Sequence, residues 1–349
     1  MLKDTEEKNK NMQQIMPVLK NVRLWAVSLF IGWTVTTCQS VTNDYMHVKG
    51  SAQGTTFSIK YKSPESKDLS PAIDSIFKVM DLSMSTYVPQ SIISRINNGE
   101  TGVQPDAHFI NVFKLSQQVY RETNGYFDPT VGLLVNAYGF GSKELPENLK
   151  NLSIPELMTY TGLDQLAMAN NRLIKEHPET YIDFNSIAQG YSVDVIKDFL
   201  RASQIHDFMI EVGGEVYAQG KNPNGQSWQI GIQNPEIKAE QNIQKIVSLD
   251  HNGLATSGNY RKFKIDENGN KFVHTINPLT GKNTPSNLLS ATVITRESCA
   301  LADAYATAFM AMGFEKAVDF ANKHPELNVY FIYVNDSGEL QIFDQKPDI

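Results

Sequence analysis

The sequence predicts an α+β protein built as one intimate unit, of one lobe or two. Three observations carry that expectation. Segments with apolar residues at every second position and segments with an apolar stripe at every third or fourth are both present. The strand-like ones between Phe208 and Thr295 follow one another instead of alternating strictly with helices. No stretch is long or polar enough to separate independent domains, and no repeat of fixed period is visible. The 349 residues, 41% hydrophobic and 20% charged, suffice for one large core or two ordinary ones. A net charge of −7 and the lack of a basic stripe speak against a nucleic-acid binder.

Residues 1–40 read as an export address, with the folded domain at 41–349. Lys20 and Arg23 precede the apolar run Leu24–Val35, which is followed by Thr36-Thr37-Cys38. That is the layout of a secretory signal, and the run is short for a stable transmembrane helix. The lead Met1–Gln14 is long for such a signal; a start at Met12 or Met16 would give an ordinary length. Cys38 resembles a lipoprotein cleavage site, where a lipidated cysteine becomes the new N-terminus. Thr37 stands where Gly, Ala or Ser is usual, and the alternative is an uncleaved signal anchor. Two cysteines are too few for a disulfide framework. The second, Cys299, opens an apolar helix and reads as core.

In chain order, Thr55–Lys62 alternates as a strand after a polar spacer. Ser70-Pro71 opens a helix whose Ile73, Ile76, Phe77 and Met80 share a face. Met84-Ser85-Thr86-Tyr87 and a turn at Pro89 lead into a short capped helix over Ser91–Asn97. Asp106–Thr123 is a longer helix with Phe109, Val112, Phe113, Val119 and Tyr120 inward, stopped by Asn124-Gly125. Tyr126–Gly141 (YFDPTVGLLVNAYGFG) is poor material for a helix or a strand. A segment so apolar yet broken by glycine wraps something or packs its backbone closely.

Ser153-Ile154-Pro155 starts a short helix ending near Gly162, and Arg172–Lys175 is a brief strand. Tyr181–Phe184 is another, running into a helix with Ile187, Tyr191, Val195 and Phe199 on one stripe. A strand over Phe208–Val212 ends in Gly213-Gly214 and is continued by Glu215–Gly220; Trp228–Ile232 and Lys245–Asp250 add strands, and Leu254–Gly258 leads on to the next segment. Tyr260–Ile265 and Lys271–Thr275 form a hairpin about Asn268-Gly269. Leu288–Thr295 is a strand, Ser298–Met312 an alanine-rich helix stopped by Gly313, and Phe314–Lys323 a helix ended by His324-Pro325. Val329–Val334 and Leu340–Phe343 close the chain.

Chemistry concentrates in a few places. At Tyr181–Leu200, an acidic residue at a strand end meets a helix start. Asn185 and Ser186 suit an N-cap, and Ser186-x-x-Gln189 fits a capping box worth about 1 kcal/mol. Such a junction can hold a phosphate on the helix amides and a metal on Asp183, or it can be a capped helix beside a loop acid. Asp303 and Thr307 share a helix face, which Ala302, Ala304, Ala306 and Ala308 would keep open. Their hard oxygens suit Mg²⁺ rather than zinc; the alternative is a side-chain hydrogen bond on a solvated face. His274 stands just before a Pro-x-x-Gly turn, as an acid–base group, a phosphate contact or a structural histidine. Glu211-Val212-Gly213-Gly214-Glu215 would let backbone approach a ligand. There is no P-loop, GxGxxG, GxSxG or HExxH motif.

Eight segments in order resemble the ApbE family: AQGTTFSIKY, MSTYVPQSIISRIN, GYFDPTVGLLVNAYGFG, IDFNSIAQGYSVD, IEVGGEV, ATSGNYRKF, HTINPLTGK and ALADAYATAFMAMG. The resemblance runs from about residue 50 to the C-terminus. It implies a T-fold-like arrangement of mixed sheets flanked by helices, and the activity of FAD:protein FMN transferases. It implies a flavin pocket at Gln53, Tyr87, Tyr126, Phe127, Asp128, Asp183, Gln189 and the strand end His274–Ile276. It implies a Mg²⁺ site at Ser186 (through its backbone oxygen), Asp303 and Thr307. Gln53 stands where Met is common, and Ala306 occupies a position that is acidic in some relatives.

On this resemblance FMN passes from FAD to a Ser or Thr hydroxyl of an acceptor protein, forming a phosphoester and releasing AMP. His274 is the expected base, with Asp303 second. The acceptor would be a subunit of a membrane electron-transfer or ion-pumping complex, and the enzyme would be membrane-tethered at the periplasmic face of the inner membrane. Two other readings use the same pocket: a Mg²⁺-dependent FAD pyrophosphatase, and an FAD-binding lipoprotein without turnover.

Overall fold

The chain opens on a hairpin, β1 (Tyr45–Ala52) and β2 (Thr55–Lys62), turning through Gln53 and Gly54 with φ of 51° and 73°. The computed structural model describes residues 44–234, 243–259, 263–265, 271–283, 286–296 and 298–346. The export segment at 1–40 and the Asn268-Gly269 turn lie outside the described residues. The supposed polar spacer before Thr55 is in fact β1. It is an edge strand with only Val48 fully buried, and polar edges are how exposed strands avoid pairing with other chains, so its alternation is faint.

Helix α1 (Ser70–Met84) turns Ile73, Phe77, Met80 and Met84 inward with Pro71 in its first turn. Its cap is Leu69, not Ser70, whose amide and hydroxyl both go to Asp68. In α2 (Ile92–Asn97) Ser91 caps the Ser94 amide, and in α3 (Ala107–Glu122) Asp106 caps that of Phe109. The Tyr126–Gly141 stretch holds one short helix that its glycines disguise, α4 (Gly132–Ala137). Then follow α5 (Ile154–Leu157), the small hairpin of β3 (Leu166–Ala169) and β4 (Arg172–Lys175), and α6 (Ala188–Ala202).

The second half adds β5 (Phe208–Val212) and β6 (Glu215–Gln219). These do not form one continued strand but pair antiparallel, because Gly213 and Gly214, at φ of 68° and 115°, reverse the chain. The hairpin β7 (Trp228–Gln233) and β8 (Ile243–Leu249) and then β9 (Asn252–Gly258) follow. A short hairpin of β10 (Phe263–Ile265) and β11 (Lys271–Val273) leads to β12 (Leu288–Arg296). Helices α7 (Cys299–Met312) and α8 (Phe314–Lys323) precede β13 (Asn328–Val334) and β14 (Leu340–Asp344).

One sheet runs β1-β2-β5-β6-β9-β12-β13-β14, each neighbour pair antiparallel. Strand alternation sorts its side chains into two layers. Ala255, Ala291, Val293 and Phe331 join the helices in one core, while Leu254, Ile294, Tyr330 and Ile332 meet Trp228, Val247 and Leu249 of the β7–β8 hairpin on the other face. Residues from Asp44 onward cluster as a single unit. No described helix is long and apolar enough to cross a membrane.

The stretch around Tyr181 departs from its period. Tyr181 makes one bridge to Val131, Ile182–Phe184 are extended without a ladder, and the helix begins only at Ala188. On α6 the inward residues are Val193, Ile196 and Leu200 with Asp194 and Lys197, whereas Val195 and Phe199 are half-buried. A helix buried on two sides has a wide inner face, and partnered charges within it escape a hydrophobic-period reading.

Candidate active site

Helices α6 and α7 meet at Gly190. A Cβ there would lie 2.6 Å from the Cys299 carbonyl oxygen and 2.9 Å from both the Ala300 Cα and the Asp303 Cβ. Only glycine permits this approach, and through it the Gly190 amide donates to Asp303 Oδ2 at 3.2 Å. The expected helix junction and the alanine-rich helix are therefore in contact. Gly190→Ala is expected to cost about 1–3 kcal/mol through overpacking against backbone. Urea denaturation reads this directly, and a wild-type midpoint would mean the helices are further apart.

Asp303 is 6% exposed. Burial pushes its carboxyl up to about 7, against the opposing pull of the Gly190 amide. The solvated-face alternative is thereby excluded. One turn along, the Thr307 hydroxyl stands 3.4 Å from that of Ser257 on β9. Ser257 was not singled out from sequence, although ATSG gave the cue of a hydroxyl at a strand end. The surrounding alanines do not keep a face open. Ala300, Ala302, Ala304, Ala306 and Ala308 are all fully buried, and their small side chains let α7 press against the sheet and neighbouring helices.

The start of α7 is held by Asp194, a residue whose local spacing signals no such role. Asp194 of α6 accepts from the Cys299 and Ala300 amides at 2.9 and 3.0 Å and from the Ser298 hydroxyl at 3.0 Å, with Lys197 Nζ at 3.3 Å. Ser298 is the N-cap residue, its hydroxyl accepting from the Leu301 amide at 3.2 Å, and Asp194 satisfies the two amides before it from another helix.

The capping box expected at Ser186 and Gln189 does not form. Asn185–Ile187 make a turn, Ile187 is the cap residue and makes no side-chain cap, and Ser186 is half-buried in the turn. Gln189 instead reaches the β5–β6 turn, its amide atoms 3.1 Å from where a Gly213 Cβ would stand. Gly213 has φ of 68° there, so a side chain would be both strained and blocked. Gln53, from the β1–β2 turn, donates through Nε2 to Ser192 Oγ at 2.7 Å, and its buried Oε1 has no hydrogen-bond partner.

Asp183 accepts from the Asn185 amide at 2.9 Å and side chain at 3.3 Å, and burial raises its carboxyl although part of it reaches the surface. Its own amide donates to Pro129 at 2.7 Å, joining this junction to the glycine-broken loop. Asn97 holds both the amide and the carbonyl of Ile182, at 2.9 and 2.8 Å.

In that loop the expected flavin contacts divide. Tyr87 is exposed, and Tyr126 has its hydroxyl against Lys316 Nζ, which stands 5.0 Å over the ring. Phe127 is 1% exposed and belongs to the main core, so here its ring packs the fold rather than offering a stacking face. Asp128 spends its oxygens internally, on the Thr130 amide and hydroxyl at 2.8 and 2.6 Å and the Leu163 amide at 3.2 Å. Burial pushes its carboxyl up to about 6, these bonds opposing.

His274 is half-buried just past β11, and Ile276 is buried beside Leu133, Leu134 and Tyr181. Thr275 donates to Asn259 at 2.8 Å and Asn277 to the Ala311 carbonyl at 3.2 Å, so this strand end lies between β9 and α7. Among the described residues no group of three His, Cys, Asp or Glu side chains could hold a metal. The donors on hand at α7 are hard oxygens, one carboxylate and hydroxyls.

Residues 53–331 match the ApbE family. The chain belongs to the ApbE family. The FAD:protein FMN transferase of Vibrio cholerae is 34% identical over 325 residues, 91% of this chain and 96% of its own length. That of Haemophilus influenzae is 32% identical over 325 residues, 89% and 93%. Among solved structures, the flavin transferase ApbE from Vibrio cholerae matches this ApbE-family chain with a TM-score of 0.76 at 32% identity, covering 87% of this chain and 97% of that one. The apo flavinyl transferase ApbE of Pseudomonas stutzeri gives 0.75 at 29%, covering 87% and 95%.

Proposed function

We propose that this ApbE-family transferase moves FMN from FAD to a serine or threonine hydroxyl of an acceptor protein, with Mg²⁺ as cofactor. The observation that carries the reading is the Gly190–Asp303 contact, which sets a helix N-terminus beside a buried carboxylate in reach of two hydroxyl-bearing elements. The acceptor oxygen attacks the FMN phosphorus, the bond from that phosphorus to the AMP phosphate oxygen breaks, and AMP leaves. His274 takes the hydroxyl proton.

The donor set fits magnesium: Asp303, Thr307 and the Ser186 backbone oxygen would hold it, leaving positions for substrate phosphate and water. When bound, it neutralises the pyrophosphate and stabilises the charge of the departing AMP. The amides opening α6 add partial positive charge. Tyr87 and Tyr126 suit the flat rings, and Gln53 Oε1, buried and without a partner, is an acceptor for a ligand N–H.

The test is mass spectrometry of a candidate acceptor peptide after incubation with FAD and Mg²⁺, seeking added FMN, with a chelator control. AMP released at the same rate without any acceptor would instead mark a pyrophosphatase. His274→Ala is expected to leave FAD bound, by flavin fluorescence, while slowing transfer about 10²–10⁴-fold. Loss of binding would make His274 a ligand contact.

The same reading places the protein outside the cytoplasm, tethered to the periplasmic face of the inner membrane by lipid on Cys38, near an acceptor subunit of a membrane electron-transfer or ion-pumping complex. Cys38→Ala is expected to move it from the membrane to the soluble fraction; unchanged fractionation would mean an uncleaved anchor.

A further inference from the structure

The first hairpin has one covered and one open face. Val48, Phe57, Ile59 and Tyr61 point into the helical core. By alternation His47 and Lys49 of β1, and Thr56, Ser58, Lys60 and Lys62 of β2, point the other way. On that side of the sheet, β7 and β8 cover the later strands, and Tyr45 meets Trp228 at the border with ring centroids 6.2 Å apart.

In a chain of net charge −7 this open face is cationic. Lys62 stands 3.9 Å from Asp207, and Glu211, across from Ser58, accepts from the Gly214 amide at 2.9 Å. Lys49 and Lys60 have no acidic partner within ion-pair distance among the described residues. His47, hydrogen-bonded to Ser58 at 2.9 Å, is lowered from its ordinary range by burial first and then by these two lysines. Exposed lysines without an acidic partner are what the negative potential of an anionic lipid surface attracts.

The sequence limits how far this face can stand from a lipid on Cys38. The chain from Cys38 to Asp44, where the described fold begins, spans at most about 22 Å even fully extended. We propose that the open face of β1 and β2, centred on Lys49 and Lys60, lies against anionic lipid headgroups of the membrane that holds the chain. This rests on the lipid anchor at Cys38. One lipid signal holds a protein weakly, and a basic patch is the usual second. The arrangement also brings the Gln53 turn, and with it the flavin pocket, close to the membrane surface where a membrane-bound acceptor presents its hydroxyl.

The test uses the full chain purified from bacterial membranes and reconstituted in mixed phosphatidylcholine–phosphatidylglycerol vesicles. A fluorophore goes on His47→Cys or, as the far control, on Ser337→Cys in the β13–β14 turn; Cys299 is fully buried and stays unlabelled. Headgroup-nitroxide lipid is expected to quench position 47 and spare position 337. Lys49→Glu with Lys60→Glu, or plain phosphatidylcholine, is expected to lower the quenching by at least about threefold. Equal quenching at both positions, or quenching indifferent to charge reversal, overturns the proposal. Intact mass, which reads the lipid on Cys38, together with flotation of the vesicles tells failure of the anchor from failure of the face. A chain that lacks the lipid or does not float overturns the anchor and this face with it, whereas a lipidated one that floats with equal quenching overturns the face alone.

Discussion

Asp303→Ala is expected to lower FMN transfer by about 10²–10³-fold or more, with FAD still bound. The carboxylate is the only charged donor that α7 brings to the meeting point with α6, and Thr307 is neutral. Mass spectrometry of the acceptor measures the loss, and near wild-type incorporation would discard the metal assignment. A second reading needs no turnover. Its carboxyl, ordinarily near 3.8, is raised to about 7 in the fold. A raised acid favours the folded state fully below pH 4, and that contribution is lost as pH rises through 7. Without magnesium, then, wild-type stability should fall across this window, and that of Asp303→Asn should fall less, the remainder coming from other buried acids such as Asp128, whose carboxyl is also raised. Added Mg²⁺ should raise the melting temperature of the wild type at pH 8 and leave the variant unmoved.

Asp194→Ala is expected to destabilise the protein by about 3–5 kcal/mol, the cost of breaking a buried ion pair. It would strand the first amides of α7, which now donate to this carboxylate, and disturb the nearly buried Lys197. Urea unfolding with the wild-type slope and a shifted midpoint would register it. A change under about 1 kcal/mol would mean that the Ser298 cap on the Leu301 amide suffices to hold the helix start. Because Asp194 touches neither Asp303 nor Thr307, transfer by the surviving folded fraction should fall much less than in Asp303→Ala.

The elements with strong local signals were legible in the sequence. Asp106 and Ser91 cap the helices they announce, and α7 runs to Gly313 as its composition requires. What stayed hidden depends on contacts between distant segments. The capping box at Ser186 fitted the pattern, yet Gln189 is drawn to Gly213 across the structure. The alanines around Asp303 looked like an open face because spacing reveals which residues share a side, not what lies opposite. Asp194 looked like one more helix acid until its partners, more than 100 residues on, were seen. Phe127 and Asp128 sit in a motif whose chemistry suits a ligand, but the fold uses the ring and the carboxylate for itself. Of the candidate site, the placement of Asp303 and Thr307 one turn apart on α7 was readable, because helical spacing alone makes them neighbours.

The sheet begins with the first described strand at one border and finishes with the last at the other, seven spacings of roughly 4.8 Å away, or about 34 Å measured along the sheet. A reporter domain or affinity handle fused beyond β14 would therefore hang from the side remote from the leading hairpin. Such fusions should be tolerated where insertions into the β1–β2 turn are not, which gives a practical route to following the protein in living cells.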